Sequence, residues 1–137
     1  MIAVVDTNVL VSAALRDRLP ERVVLYFAAR DDWIWLVTPD ILREYRGVLG
    51  RPKLALSEAV RERWNELLTW RTVTIESPEL LTARLPRDPK DEPFLAAALA
   101  SDADYLITGD QDFTEAHSLI TSQIVTVREF ARRFGIH

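Results

Sequence analysis

Short apolar runs alternate with amphipathic stretches along the whole chain. Ile2–Val5 is wholly apolar and is cut off by Asp6, the pattern of a buried strand. A helix is predicted from about Asn8 to Leu15. Pro20 suits the first turn of a second helix, with Val23, Val24 and Phe27 on its inner face. Trp33–Val37 reads as a second strand. Thr38 before Pro39 is a cap followed by a first-turn proline, so a helix should run to about Leu49, where Gly50 and Pro52 end it. Ser57 caps a helix reaching about Trp70, with Val60, Trp64, Leu67 and Leu68 inward. Thr72–Ile75 is a third strand, Pro86 to Pro89 a loop, and Glu92 to Ser101 a helix rich in alanine and leucine. Tyr105–Thr108, stopped by Gly109, and Ile124–Val127 are the fourth and fifth strands. Thr126 and Glu129 have the spacing of a capping box for the last helix.

Strands alternating with helices predict an α/β fold whose parallel sheet is covered on both faces. The 137 residues suit one domain, 1–137, with no linker or internal repeat. With 48% hydrophobic residues a core can form, and with 28% charged residues the surface is well solvated. Cysteine is absent, which excludes disulfides and thiolate metal sites. The start of the chain lacks the basic-then-apolar pattern of a signal peptide, and no apolar run is long enough for a bilayer. A soluble cytoplasmic protein without a membrane partner is therefore expected. The net charge of −4 argues against coating nucleic acid through a basic surface. It leaves room for a nuclease, because a metal brings its own positive charge to a cluster of acids. Only Lys53 and Lys90 are lysines; the other fifteen basic residues are arginines. Guanidinium forks suit phosphate, although a GC-rich gene would give the same bias.

In sheets of this kind ligands bind beyond the carboxyl ends of the strands. Asp6 directly follows the first strand, and Asp110 and Asp112 follow the fourth. Asp91 and Glu92 start the helix that feeds the fourth strand. Glu44 lies beside the Ile41, Tyr45, Val48, Leu49 stripe of its helix, where it can lean into a cleft. Such carboxylates repel one another unless a cation joins them. Oxygen donors without histidine or cysteine favour Mg²⁺ or Mn²⁺ over zinc, and neither His117 nor His137 is near the strand ends. Each acid also has a plainer role. Asp91 or Glu92 can cap a helix, Asp110 can shape a turn, Glu44 can flank an amphipathic helix, and Asp112 can be solvated. Asp6 is hardest to explain so, because an acid ending a buried strand needs partners, which Thr7 and Asn8 can supply.

The same residues carry a resemblance. Val4-Val5-Asp6-Thr7-Asn8-Val9-Leu10 resembles the opening motif of PIN domains. Arg87-Asp88-Pro89-Lys90-Asp91-Glu92-Pro93-Phe94-Leu95-Ala96 and Ala103-Asp104-Tyr105-Leu106-Ile107-Thr108-Gly109-Asp110-Gln111-Asp112-Phe113 resemble two later motifs of one PIN branch, and Arg51-Pro52-Lys53 is also similar. That branch is the toxin component of toxin–antitoxin systems, related to virulence-associated protein C toxins. The resemblance spans Ile2 to about Phe134. It implies a three-layer α/β/α sandwich and RNA cleavage dependent on one or two Mg²⁺ or Mn²⁺ ions. By position, Asp6, Glu44 and Asp110 match the family's acids, Glu92 or Asp91 the remaining one, and Asp112 an accessory acid. Where this branch usually has aspartate, Glu92 stands here, which leaves open which of the neighbouring acids is the ligand. The resemblance further implies an antitoxin partner and a homodimer.

With no histidine or cysteine near the site, the expected nucleophile is a metal-activated water held by a carboxylate such as Asp110 or Glu92. Thr7 and Asn8 would orient Asp6, and Arg51, Lys53 and Lys90 would neutralise flanking phosphates. A haloacid-dehalogenase-type phosphatase would need a second aspartate where Asn8 stands, and a response-regulator receiver would need an acid pair at the first strand and a late lysine. A non-catalytic PIN-like module for RNA or protein binding is the remaining rival, and a full set of acids argues against it. Leu25, Tyr26, Trp64 and Trp70 exceed what one core layer needs and predict an exposed apolar patch for a partner. The alternative is that they fill the core, which suits Trp64 best.

Overall fold

The computed structural model describes residues 1–16, 18–76, 92–109 and 121–137, with Glu92 described only as the first residue of its helix. The expected loop at Pro86 to Pro89, together with Lys90, Asp91, Asp110, Asp112 and His117, lies outside the described residues. Five strands form one sheet: β1 (Ile2–Val5), β2 (Ile34–Val37), β3 (Thr72–Thr74), β4 (Tyr105–Ile107) and β5 (Gln123–Val125). Their order is β3-β2-β1-β4-β5, and every pairing is parallel. The helices are α1 (Thr7–Ala14), α2 (Arg18–Ala28), α3 (Pro39–Leu49), α4 (Glu58–Arg71), α5 (Glu92–Ser101) and α6 (Val127–Phe134). The chain winds outward from β1 to β2 and β3, then returns to β4 beside β1 and winds the other way to β5. Helices cover both faces of this sheet, with α2 and α6 together on one of them, giving three α/β/α layers.

Local chemistry explains most boundaries. Thr38 accepts the Ile41 N–H at 3.2 Å, Ser57 the Val60 N–H at 3.2 Å and Thr126 the Glu129 N–H at 3.1 Å, so α3, α4 and α6 each start at a hydroxyl cap. Because Thr126 caps α6, β5 ends at Val125 and Val127 is helical, two residues earlier than the alternation suggested. Gly50 does close α3, yet with a right-handed φ of −86°. The stop comes from Pro52, which holds Arg51 extended at φ −68°, ψ 128°. Gly135 ends α6 at φ +66°, a left-handed conformation that favours glycine.

One face of the sheet is aromatic. Phe27 of α2, Trp33, Trp35, Tyr105 and Phe130 of α6 meet mostly edge to face, as between Tyr105 and Phe130 at 5.4 Å and 86°. In α5, Phe94 to Ala98 are buried in succession, and this helix packs on β1, β2, β4 and α3. The expected apolar surplus divides. Trp64 is 1% exposed and belongs to the core, because α4 turns that face toward the sheet along with Leu68. Tyr26 is half-buried against Trp33, Phe130 and Phe134. Leu25 is half-buried, and Trp70 is 80% exposed. Among the described residues no helix is long and apolar enough to cross a membrane.

Candidate active site

The site grows out of the sheet register. Val5 pairs with Ile107 and Ile107 with Val125, so Asp6, Thr108 and Thr126 stand in a row just past the carboxyl ends of β1, β4 and β5. From β1 the chain turns one way and from β4 the other, which opens a crevice between their ends. Asp6 occupies that crevice. Its N–H donates to Ile107 O at 3.0 Å, which locks the residue to the neighbouring strand.

The Asp6 side chain is 7% exposed and caps α1, with Oδ1 accepting the Asn8 N–H at 3.2 Å. Oδ2 accepts the Thr108 hydroxyl at 2.7 Å. These donors, with the positive end of α1, hold the side chain in place at the strand end. Asn8 therefore orients Asp6 through its backbone, and its side chain is exposed. Thr7 does not orient Asp6 as expected: its hydroxyl donates to Glu44 Oε2, because the first turn of α1 directs this side chain toward α3. Glu44 is exposed apart from that bond, so it is a carboxylate anchored at the rim rather than buried.

Two further contacts fix the helix bearing Glu44. The neighbouring Tyr45 is fully buried and its hydroxyl donates to the Val5 carbonyl, directly before Asp6. Burial raises the Tyr45 pKa well above the ordinary phenol value. The Trp35 indole beside it acts in the opposite direction, although its N–H has no hydrogen bond of ordinary geometry. The Asp6 and Glu44 charges add to the rise, so both carboxylates are felt at one phenol. On the other side of α3, Arg46 donates to Asn65 Oδ1 and Thr69 Oγ1, both at 3.0 Å, which ties α3 to α4.

The described part of the site is thus Asp6 and Glu44 joined through Thr7, with Thr108 behind Asp6. Among the described residues no three metal-binding side chains converge. Asp91, Asp110 and Asp112 lie outside them, and only the helical placement of Glu92 is known. Arg51 and Lys53 are exposed at the far end of α3, roughly 10 Å along the helix axis from Glu44. Neither forms an ion pair among the described residues. Thr108 was not anticipated as a partner of Asp6. The available signal was positional, since Thr108 follows β4 as Asp6 follows β1.

A parallel, doubly wound sheet with a buried aspartate at its switch point defines a three-layer α/β architecture with a crevice at the carboxyl ends of its strands. The PIN domain family matches residues 3–112, and the chain belongs to that family. No curated protein matches it. Among solved structures it is similar to VapBC-1 from nontypeable Haemophilus influenzae, with a TM-score of 0.64, 18% identity, 93% of this chain covered and 99% of that one. It is also similar to VapBC2 from Rickettsia felis bound to a DNA fragment from their promoter, with a TM-score of 0.59, 18% identity, 91% of this chain covered and 97% of that one. At that identity the likeness shows the three-layer fold.

Proposed function

We propose that the protein is a metal-dependent endoribonuclease and the toxin component of a toxin–antitoxin pair. The observation that carries this reading is Asp6: a buried carboxylate at the switch point of a PIN fold, held in place by the Asn8 N–H and the Thr108 hydroxyl. Two solved relatives are VapBC complexes, which supports the same branch.

Asp6 and Glu44 are hard oxygen donors, and the described residues around them bring no histidine or cysteine, so the donor set fits Mg²⁺ or Mn²⁺. Asp6, Glu44, Asp110 and either Asp91 or Glu92 are proposed to hold the ion, with Asp112 as an accessory. When bound, such an ion supplies a polarised water and offsets charge on the phosphodiester. Thr108 and the Asn8 N–H keep Asp6 aimed across the crevice. Thr7 keeps Glu44 from swinging into solvent. Asp110 or Glu92 is the candidate for orienting the attacking water, and Arg51, Lys53 and Lys90 are candidates for flanking phosphates.

Purified protein should cut single-stranded RNA with Mn²⁺, stop in chelator and leave 5′-phosphate and 3′-hydroxyl ends. Asp6→Asn and Asp110→Asn should abolish cutting while the thermal melt is retained. Cyclic-phosphate ends that persist in excess EDTA would overturn the metal mechanism. A wild-type protein that binds RNA but never cuts it would favour a non-catalytic module. The antitoxin, or a second copy in a homodimer, is proposed to cover the shallow groove of about 260 Å³ between Leu25, Leu67 and Trp70. Light scattering should show a dimer that Trp70→Ser weakens; a clean monomer at high concentration would remove the dimer.

A further inference from the structure

A second groove, of about 290 Å³, runs along α6 and is lined by Leu19, Arg128, Ala131, Arg132, Ile136 and His137. Arg128 and Arg132 are one helical turn apart on α6. Across from them α2 carries Arg22, whose guanidinium donates to the carboxyl oxygen of His137, and Arg18 one turn earlier. All four arginines are exposed; Arg22 is held by the His137 carboxyl oxygen, and among the described residues Arg18, Arg128 and Arg132 have no side-chain carboxylate within ion-pair distance. The nearest acids along these helices are Glu21 and Glu129. A protein of net charge −4 thus gathers three guanidiniums without a described carboxylate partner, Arg18, Arg128 and Arg132, around a floor of Leu19, Ala131 and Ile136.

The groove also starts in the right place. The cap of α6, Thr126, stands in the same row as Thr108 and Asp6, with about 10 Å of sheet between the outer two. From that edge α6 carries Arg128 and then Arg132 down the side of the molecule. We propose that this groove is a docking track for single-stranded RNA leaving the acid site, an inference that rests on the nuclease reading given above. The guanidiniums meet phosphates and stack on bases, and the apolar floor accepts a base or ribose face. On an otherwise acidic molecule such a track supplies the local field that a polyanion needs. An acidic peptide can pair with the same arginines, but nothing in its chemistry accounts for a groove that begins at the carboxylate edge.

The test is fluorescence anisotropy with a labelled single-stranded RNA in EDTA, so that binding is read without cleavage. Arg128→Gln with Arg132→Gln should weaken binding roughly tenfold and reduce the salt slope by about 1.4, for two lost phosphate contacts. Arg18→Gln should act in the same direction. The control pair Arg43→Gln with Arg61→Gln removes the same charge elsewhere and should change little. Equal losses in both pairs, no loss in the groove pair, or no RNA binding by the wild type would each overturn the proposal. So would polyglutamate competing as well as RNA at equal charge. RNA binding that needs the groove arginines, in a protein that cuts nothing with Mn²⁺, would sustain the groove and sink the nuclease reading.

Discussion

Asp6 serves two masters, and the demands on its side chain differ. A helix cap wants a short acceptor, met by serine, threonine, aspartate or asparagine. The proposed cation wants a carboxylate. Thr108 contributes to the second demand by fixing Oδ2, so Thr108→Val should raise the Kd for Mn²⁺ by about tenfold or more and, by taking a donor from a buried carboxylate, also lower stability by about 1–3 kcal/mol. Calorimetry reads the first effect and circular dichroism the second; unchanged Mn²⁺ affinity would make Thr108 purely structural. Tyr45→Phe should show in the melt alone. It leaves the Val5 carbonyl without its buried donor and should cost about 1–3 kcal/mol in denaturant melts. The importance of Asp6 could be read from its place after an apolar run. Its partnership with Thr108 could not, because 102 residues separate them and nothing local to either marks the other. Thr7 misled for a related reason: adjacency suggested Asp6, whereas helical direction sends its hydroxyl to Glu44.

At the scale of elements, α1 depends on its first residue. Asp6→Asn keeps an acceptor for the Asn8 N–H, and the Thr108 hydroxyl can reverse to accept from the new amide, so stability should fall by only a few tenths of a kcal/mol. Asp6→Ala removes the cap and should cost about 1 kcal/mol more. If the two variants melt alike, the cap contributes nothing and Asp6 is held for charge alone. The elements themselves were legible wherever a cap or proline punctuated the pattern, as at Thr38, Ser57 and Pro52. They were less so where two signals overlapped: Val127 continues the apolar run of β5, yet the Thr126 cap claims it for α6. On α4, Trp64 and Trp70 are separated by about 120° around the helix. That angle separates the core role expected for Trp64 from the exposed surface of Trp70.

For the whole molecule, the proposed cation should act as a ligand of the native state. At Mn²⁺ a hundredfold above its Kd the stability gain should be about 2.7 kcal/mol, seen as a rise in Tm that Asp6→Asn removes. A Tm indifferent to Mn²⁺ would remove the metal centre at this end of the sheet. The fold class was legible from alternation alone, and with it the expectation that a ligand sits beyond the carboxyl ends of the strands. The strand order was not, since nothing in the composition of β4 says that it lies beside β1 rather than beside β3.

That order has a consequence during synthesis. The Asp6 carboxylate must wait for Thr108, and the pairing of Val5 with Ile107 waits equally long. At about 5–20 residues per second the intervening stretch of chain takes roughly 5–20 s to make. Throughout that interval the nascent polypeptide is tethered to a ribosome with the first half of its sheet made and the crevice unformed. A ribonuclease that matured early would threaten the messenger still being read. Under the nuclease reading, the opening acid stays unassembled throughout that interval, because Thr108 has not yet been made.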